Sequence, residues 1–104
     1  MADEIRMSGP TLKVCKVFVE DPKQERSGAE LSKLASIGSG TLYPLLQRLE
    51  NAGWLASKWE EVDPAEAGRP RRRFYKLTAP GQKKAQRALA DLQTSAPGVV
   101  AWNS

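Results

Sequence analysis

The sequence predicts a mainly α-helical protein with one small β-hairpin, arranged as a winged helix-turn-helix. Two short amphipathic helical segments are joined by a turn that contains glycine, and a hairpin pattern with an arginine-rich tip follows them. These observations indicate three helices, a two-stranded wing and a C-terminal dimerisation helix.

The length of 104 residues is typical of one compact domain and leaves no room for a separate effector-binding lobe. We expect a flexible N-terminal arm over residues 1–7 and a winged helix-turn-helix over residues 8–78. A dimerisation helix over residues 79–95 and an irregular tail over residues 96–104 complete the expected organisation.

The composition excludes several classes of protein. The chain has no histidine and one cysteine, which excludes internal disulfide frameworks, the usual His/Cys zinc sites and Ser–His or Cys–His catalysis. We therefore predict neither enzymatic activity nor a cofactor. No apolar run is long enough to span a membrane and no signal-peptide pattern is visible, so we expect a cytoplasmic protein with no membrane partner.

The basic charge is concentrated in one segment. Lysine and arginine exceed aspartate and glutamate by 16 to 12, and the excess of +4 equals the charge of four clustered residues: Arg69, Arg71, Arg72 and Arg73. Acidic residues precede this cluster, including Glu60 and Glu61. Such local basic character is what a phosphate-facing element requires.

The first helix begins at Ser8, whose hydroxyl is suited to an N-cap, and ends before Asp21-Pro22. Its apolar side chains cover an arc of roughly 220°, wider than the stripe of about 100° expected of a surface helix. Because one small domain cannot easily cover both sides, this helix predicts a partner.

The second helix starts with a capping box formed by Ser27 and Glu30. After a short turn, a third helix capped by Ser39 or Thr41 carries leucines at helical spacing and ends near Gly53, which suits a left-handed cap. A strand over residues 54–61, a turn-rich segment and a returning strand over residues 72–77 form the hairpin. Thr78 is the expected cap of the last helix.

The outward face of the third helix carries side chains that hydrogen-bond to base edges and phosphates. A solvated face is the alternative interpretation, but the tight turn before the helix and the basic hairpin after it favour a DNA-recognition helix. The expected contact residues on this helix are Ser39, Thr41, Tyr43, Gln47 and Arg48.

The segment Gly68-Arg69-Pro70-Arg71 resembles a minor-groove-binding AT-hook core, although a solvated loop is the alternative. We predict that Arg69, Arg71, Arg72 and Arg73 contact DNA from the wing. The lone Cys15 is predicted to be a buried apolar residue, with a redox sensor as the alternative. For Trp102 in the tail, packing on a dimer and covering of a small-molecule pocket both stay open.

The last helix has an alanine and leucine stripe that suits close packing against another helix. We predict a two-fold dimer through the terminal helices, which would present two recognition helices to a pseudo-palindromic site. The expected interface residues are Val14, Val17, Phe18, Ala85, Leu89 and Leu92.

Three segments together resemble the PadR family: the helix Gly40-Thr41-Leu42-Tyr43-Pro44-Leu45-Leu46-Gln47-Arg48-Leu49-Glu50, then Gly53-Trp54-Leu55, then Gly68-Arg69-Pro70-Arg71-Arg72-Arg73-Phe74-Tyr75-Lys76-Leu77-Thr78 with Gly81. The resemblance spans about residues 8–93, and the length is similar to the short subgroup with a single C-terminal helix. It implies a winged-helix repressor that is dimeric through its terminal helices, often autoregulatory, and in some members released from DNA by a small aromatic or drug-like effector.

We therefore predict a homodimeric transcriptional repressor that binds double-stranded DNA. Two other classes stay open from the residues alone. One is a winged-helix module that binds an acidic protein, and the other is a small-molecule sensor that captures its ligand at the dimer interface.

Overall fold

The computed structural model describes residue 5 and residues 7–95, with side chains as far as residue 91. The helices are α1 (Gly9–Glu20), α2 (Gly28–Ala35), α3 (Ser39–Asn51), α4 (Pro64–Ala67) and α5 (Ala79–Ser95), and the strands are β1 (Arg26–Ser27), β2 (Leu55–Trp59) and β3 (Arg73–Leu77). This order confirms the predicted winged helix-turn-helix. No helix in the described part of the chain is both long and apolar enough to cross a bilayer. The predicted irregular tail, with Trp102, lies outside the described residues.

Side-chain caps set the starts of three helices where the sequence predicts them. The Ser8 hydroxyl accepts the Thr11 N–H at 3.4 Å at the start of α1. At the start of α2 the capping box is complete, with the Ser27 hydroxyl accepting from Glu30 N–H at 3.1 Å and the Glu30 carboxylate accepting from Ser27 N–H at 2.9 Å. Thr78 caps α5, because its hydroxyl accepts the Gly81 N–H at 2.9 Å.

The predicted cap of α3 is wrong. The helix begins at Ser39 with Gly38 at the N-cap position, so neither Ser39 nor Thr41 caps it with a side chain. Pro44 consequently lies well inside the helix and supplies no N–H to the carbonyl of Gly40 one turn earlier. Gly40 is exposed, so solvent can satisfy that carbonyl.

The sheet has three antiparallel strands in the order β1-β3-β2, where a two-stranded wing was expected. Strands β2 and β3 pair with Ser57 opposite Tyr75, and β1 adds Arg26 opposite Tyr75 on the other edge. A two-residue strand has no periodicity to detect in a sequence. It forms because the chain passes beside β3 immediately before α2 begins.

Leucines of α2 and α3 and apolar residues of α1, β2 and β3 form one core, which includes Val14, Phe18, Leu31, Leu42, Leu45, Leu46 and Leu49. Helix α1 contacts α2, α3 and α5. Because α5 of the same protomer contacts α1, part of the wide apolar arc of α1 is covered within the protomer, while Leu12, Val17 and Val19 stay partly exposed. The width of the arc alone therefore does not establish a partner. Ile5 and Met7 also pack against the core, so these two residues do not belong to a loose arm.

The tip of the hairpin is more ordered than the turn expected from the sequence. Helix α4 forms a single turn, begun by the Asp63 carboxylate accepting the Ala65 N–H at 2.9 Å. It ends at Gly68, whose φ of 70° lies in the left-handed region that glycine adopts without steric cost. This reversal directs the following residue, Arg69, back toward the end of β2.

Candidate nucleic-acid interface

The outward face of α3 carries all five residues predicted to contact DNA from this helix. They are exposed, whereas the leucines on the opposite face are buried in the core. The burial of that leucine stripe fixes the rotation of the helix about its axis. The exposed residues are Ser39, Thr41, Tyr43, Gln47 and Arg48.

Two of these side chains differ in their freedom to bind. The Gln47 side-chain amide donates to Oδ1 of the Asn51 side chain at 3.1 Å, one turn along the same exposed face. The Arg48 guanidinium makes no hydrogen bond or ion pair within the described part of the chain. Arg48 is therefore available to a phosphate or a guanine, whereas Gln47 must exchange its Asn51 contact to read a base.

Tyr43 joins α3 to the start of α2. Its ring lies directly over Gly28, and a Cβ atom on Gly28 would come within 2.7 Å of the ring carbon Cε1. Only the missing side chain of Gly28 permits this approach. Tyr43 is nevertheless 47% exposed, with its hydroxyl beside the first turn of α2.

The wing arginines are not equivalent, as Arg69 demonstrates. Its guanidinium donates to both carboxylate oxygens of Glu60, at 2.7 and 2.9 Å. The Arg72 backbone N–H donates to the same carboxylate at 3.1 Å. Chiefly because of the hydrogen bond from Arg69, the pKa of Glu60 is lowered to about 2. Arg69 is thus already paired within the protomer.

Arg73 is held at the base of the wing. Its Nε donates to the Ser57 hydroxyl at 3.0 Å, and its Nη2 lies 3.6 Å from the Glu50 carboxylate. The Ser57 hydroxyl in turn donates to Glu50 at 2.6 Å. The guanidinium also lies 5.0 Å from the centre of the Trp59 ring, a cation–π contact. This network links the end of α3 to both strands of the wing.

The other two wing arginines retain free donors. Arg71 donates only its Nε, to the Val62 carbonyl at 2.9 Å, and is exposed. Arg72 is exposed, and its guanidinium makes no hydrogen bond or ion pair with the described residues, although its charge contributes to the lowered pKa of Glu60. The sequence pattern does not distinguish the four arginines from one another, and it does not identify Glu50, Ser57 and Glu60 as their partners. The acidic residues beside the arginine run were a signal that some arginines are paired.

A groove of about 500 Å³ separates the start of α2 and Tyr43 from the wing. Its walls include Gly28 and Tyr43 on one side and the arginines, Trp59 and Tyr75 on the other. Tyr43 of the recognition helix and the wing arginines therefore border one groove, which is open to solvent. Such a groove suits a negatively charged, extended backbone.

Three of the residues expected at a dimer interface lie instead in the core of the protomer. Val14 and Ala85 are 0% exposed and Phe18 is 1% exposed, so they have no surface left for a partner. Val17 and Leu89 are only partly buried. The side chain of Leu92 lies outside the described residues.

Cys15 is buried in the same core, as its apolar neighbours in the sequence predict. Burial raises the pKa of its thiol to about 11. Because the thiolate is the reactive form, this environment disfavours the alternative of a redox-sensing cysteine.

A helix-turn-helix followed by a basic β-hairpin defines a winged-helix protein. The model of the transcriptional regulator PadR-like family matches residues 24–87, from β1 through the wing into α5. The chain belongs to this family, which consists of transcriptional regulators and not of enzymes. A search of curated protein sequences found no significant match.

Solved structures of regulators share the fold. A transcriptional regulator homologue from Pyrococcus horikoshii OT3 is 18% identical over 86% of this chain and 81% of its own, with a TM-score of 0.68. Overoxidized AbfR bound to DNA is 19% identical over 92% of this chain, with a TM-score of 0.69. NadR in complex with 4-hydroxyphenylacetate is 22% identical over 93%, with a TM-score of 0.67. The chain spans 65% of that AbfR chain and 63% of the NadR chain.

Proposed function

We propose that this protein is a sequence-specific DNA-binding repressor that acts in the cytoplasm of a bacterium or in a phage-infected cell. The observation that carries the proposal is the single groove bordered by Tyr43 of α3 and by the wing arginines. A DNA strand lying along this groove would bring its phosphates to the cationic wing while the exposed face of α3 enters the adjacent major groove.

The contacts divide by chemistry. Arg48 and Gln47 read base edges, because guanidinium and amide groups form paired hydrogen bonds with guanine and adenine. The hydroxyls of Ser39, Thr41 and Tyr43 bind phosphate oxygens, as do the free guanidinium groups of the wing. Repression follows from occupancy, since a protein bound across a promoter blocks access to it.

We further propose that the protein binds a pseudo-palindromic operator as a homodimer and represses its own gene. Val17 on α1 and Leu89 on α5 lie on mutually contacting helices and keep part of their apolar surface exposed. A two-fold contact there would cover that surface and relate two recognition helices by symmetry. A small aromatic effector that altered this contact would release DNA; NadR, of the same fold, is known in complex with 4-hydroxyphenylacetate.

Two measurements test these statements: selection of bound sites from a random pool of DNA duplexes, and the mass of the protein in solution. We expect an enriched sequence with two-fold symmetry and a mass twice that of the 11.4 kDa chain. Weak binding without enrichment would overturn the proposal and favour a protein-interaction module. A half-site without symmetry, bound by a monomer, would refute only the dimer.

A test for the effector uses the selected operator. Simple phenolic acids, with 4-hydroxyphenylacetate among them, are titrated against the preformed complex, and tryptophan fluorescence is recorded on the protein alone. Release of DNA at ligand concentrations that also change the fluorescence would support ligand control. Ligand binding in the absence of any operator selectivity would favour the small-molecule sensor.

A further inference from the structure

We propose that Glu60 is a positioning residue that clasps Arg69, so that Arg71 and Arg72, and not Arg69, contact the DNA phosphates. This inference rests on the proposed DNA-binding function. It assigns two of the four wing arginines to phosphate contact, where the sequence alone gives all four the same role.

The first support is the place of Glu60 in the hairpin. Beyond the last strand pair, Trp59 opposite Arg73, the Glu60 N–H donates to the Arg72 carbonyl at 2.8 Å. The Glu60 carboxylate accepts the Arg72 N–H in return at 3.1 Å. Glu60 thus closes the hairpin where the ladder ends and the tip begins, and it fixes the backbone from which the Arg72 side chain extends.

The second support is the geometry of the ion pair itself. The two terminal guanidinium nitrogens of Arg69, Nη1 and Nη2, each donate to one carboxylate oxygen of Glu60, the paired arrangement that is strongest for arginine and carboxylate. The Glu60 side chain is only 16% exposed and that of Arg69 34%. A phosphate would have to displace both hydrogen bonds from a carboxylate that is already in place.

The third support is the route of the chain. Helix α4 ends at Gly68 in the left-handed conformation, and the Arg69 N–H then donates to the Pro64 carbonyl at 3.3 Å. Because the backbone reverses at Gly68, the Arg69 side chain lies close enough to Glu60 to form the ion pair. The tip is therefore held both by its own backbone and by the Glu60–Arg69 pair.

The charge of Glu60 and its contact with Arg69 predict opposite changes in DNA affinity when Glu60 is replaced. Removing an acidic group from a DNA-binding wing strengthens binding if only charge matters. If Glu60 positions the tip, its removal weakens specific binding in spite of that gain. Glu61 is the matched control, because it is exposed, carries the same charge, and has no hydrogen-bond or ion-pair partner in the described ranges.

The decisive experiment measures the affinity of Glu60→Gln and Glu61→Gln for the selected operator and for a nonspecific duplex. We expect Glu60→Gln to lose about fivefold in specific affinity, which corresponds to the upper range measured for single ion pairs at a protein surface. Glu61→Gln should bind as tightly as the wild type or more tightly. If both variants strengthen binding equally, Glu60 has no positioning role.

A second set of variants separates a clasping arginine from a phosphate-binding one. Arg72→Ala should reduce the slope of log affinity against log salt by about 0.9 per protomer, whereas Arg69→Ala should leave that slope unchanged. Arg72→Lys should keep most of the DNA affinity, because lysine still neutralises a phosphate. Arg69→Lys should lose specific affinity, because a lysine ammonium cannot donate to both oxygens of Glu60 as the two terminal guanidinium nitrogens do. A slope reduced by Arg69→Ala, or full binding by Arg69→Lys, would overturn the assignment.

The controls keep the two proposals distinguishable. Circular dichroism at the binding temperature gives the folded fraction of each variant, so affinities are compared per folded molecule. If the wild type shows no operator preference, the proposed function fails. If the wild type does prefer the operator and Glu60→Gln binds like Glu61→Gln, only the proposed positioning role of Glu60 is refuted.

Discussion

The aromatic ring of Tyr43 occupies the space that a side chain on Gly28 would fill, which places α3 against the start of α2. The contacting atoms are at the far end of Tyr43, a half-exposed side chain that can swing outward. We expect Gly28→Ala to displace the ring without unfolding the domain, with a destabilisation of about 1 kcal/mol or less, because the tyrosine side chain can move aside.

The loss should therefore appear in DNA binding, where Gly28→Ala reduces affinity as much as Tyr43→Ala does. Gly9→Ala is the matched control, because a Cβ on Gly9 would have no atom within 4 Å. Titration of a labelled operator measures the affinities, and urea unfolding measures the stabilities. Wild-type affinity in the Gly28→Ala variant would contradict a role for the ring position.

A substitution at Gly81, unlike one at Gly28, is expected to reduce the stability of the fold. A Cβ there would lie 2.7 Å from the backbone Cα and carbonyl carbon of Trp54, which cannot move aside as a side chain can. We expect Gly81→Ala to destabilise the protein by about 1–3 kcal/mol, the usual cost of overpacking. Urea unfolding against the Gly9→Ala control measures this, and an unchanged midpoint would show that α5 can shift on the base of the wing.

Ser57 connects the recognition helix to the wing by donating to Glu50 and accepting from Arg73. We expect Ser57→Ala to lower stability by about 1 kcal/mol, because both charged groups lose a hydrogen-bond partner. Specific DNA binding should fall as well, since the wing is then held less firmly. Ser39→Ala, which removes an exposed hydroxyl at the start of α3, serves as the stability control. Equal unfolding midpoints for the two variants would count against the network.

The Cys15 thiol should be unreactive in the folded protein. With its pKa raised from 9.0 to about 11, the thiolate fraction at pH 8 falls roughly a hundredfold, and burial blocks access as well. Reaction with an aromatic disulfide reagent should therefore follow the rate of unfolding and become fast in urea. Rapid modification of the native protein would instead restore the redox-sensor interpretation.

The lowered pKa of Glu60 predicts how the stability of the wing depends on pH under acidic conditions. A carboxylate whose pKa is lower in the folded than in the unfolded protein stabilises the folded form above its ordinary value of 4.5, and that contribution is lost as the pH falls toward 2. NMR titration of the Glu60 side chain should show its midpoint near pH 2. Arg69→Ala should return the midpoint toward 4.5, and an unchanged midpoint in that variant would assign the shift to another cause.

Local signals in the sequence predicted most of the fold. The capping box at Ser27, the leucine stripe of α3 and the turn at Gly53 each involve residues a few positions apart, so the pattern and its physical cause are both visible in the sequence. The strand β1 and the contact of α1 with α5 depend on segments far apart in the chain. Neither leaves a periodic pattern, and the second led to an overestimate of the surface available for a partner.

The sequence predicted which residues lie at the candidate site, but not which of its arginines are paired with acidic residues. The exposed face of α3 followed from the burial of the opposite leucines, so its residues could be named in advance. Which arginine is free depends on contacts such as Arg73 with Glu50, separated by 23 positions, and on the reversal at Gly68. A cluster of like charges indicates an anionic partner, yet only the folded backbone decides which charges are already neutralised.

The strand β1 also has a kinetic consequence. Its two residues pair with β3, and α2 begins at the very next residue, so the wing is connected to the helix-turn-helix by a strand pairing as well as by the chain itself. A wing that is ordered before it meets DNA loses little conformational freedom on docking. Differences among operator sequences should therefore appear mainly in how long a complex survives, while the rates of encounter remain similar.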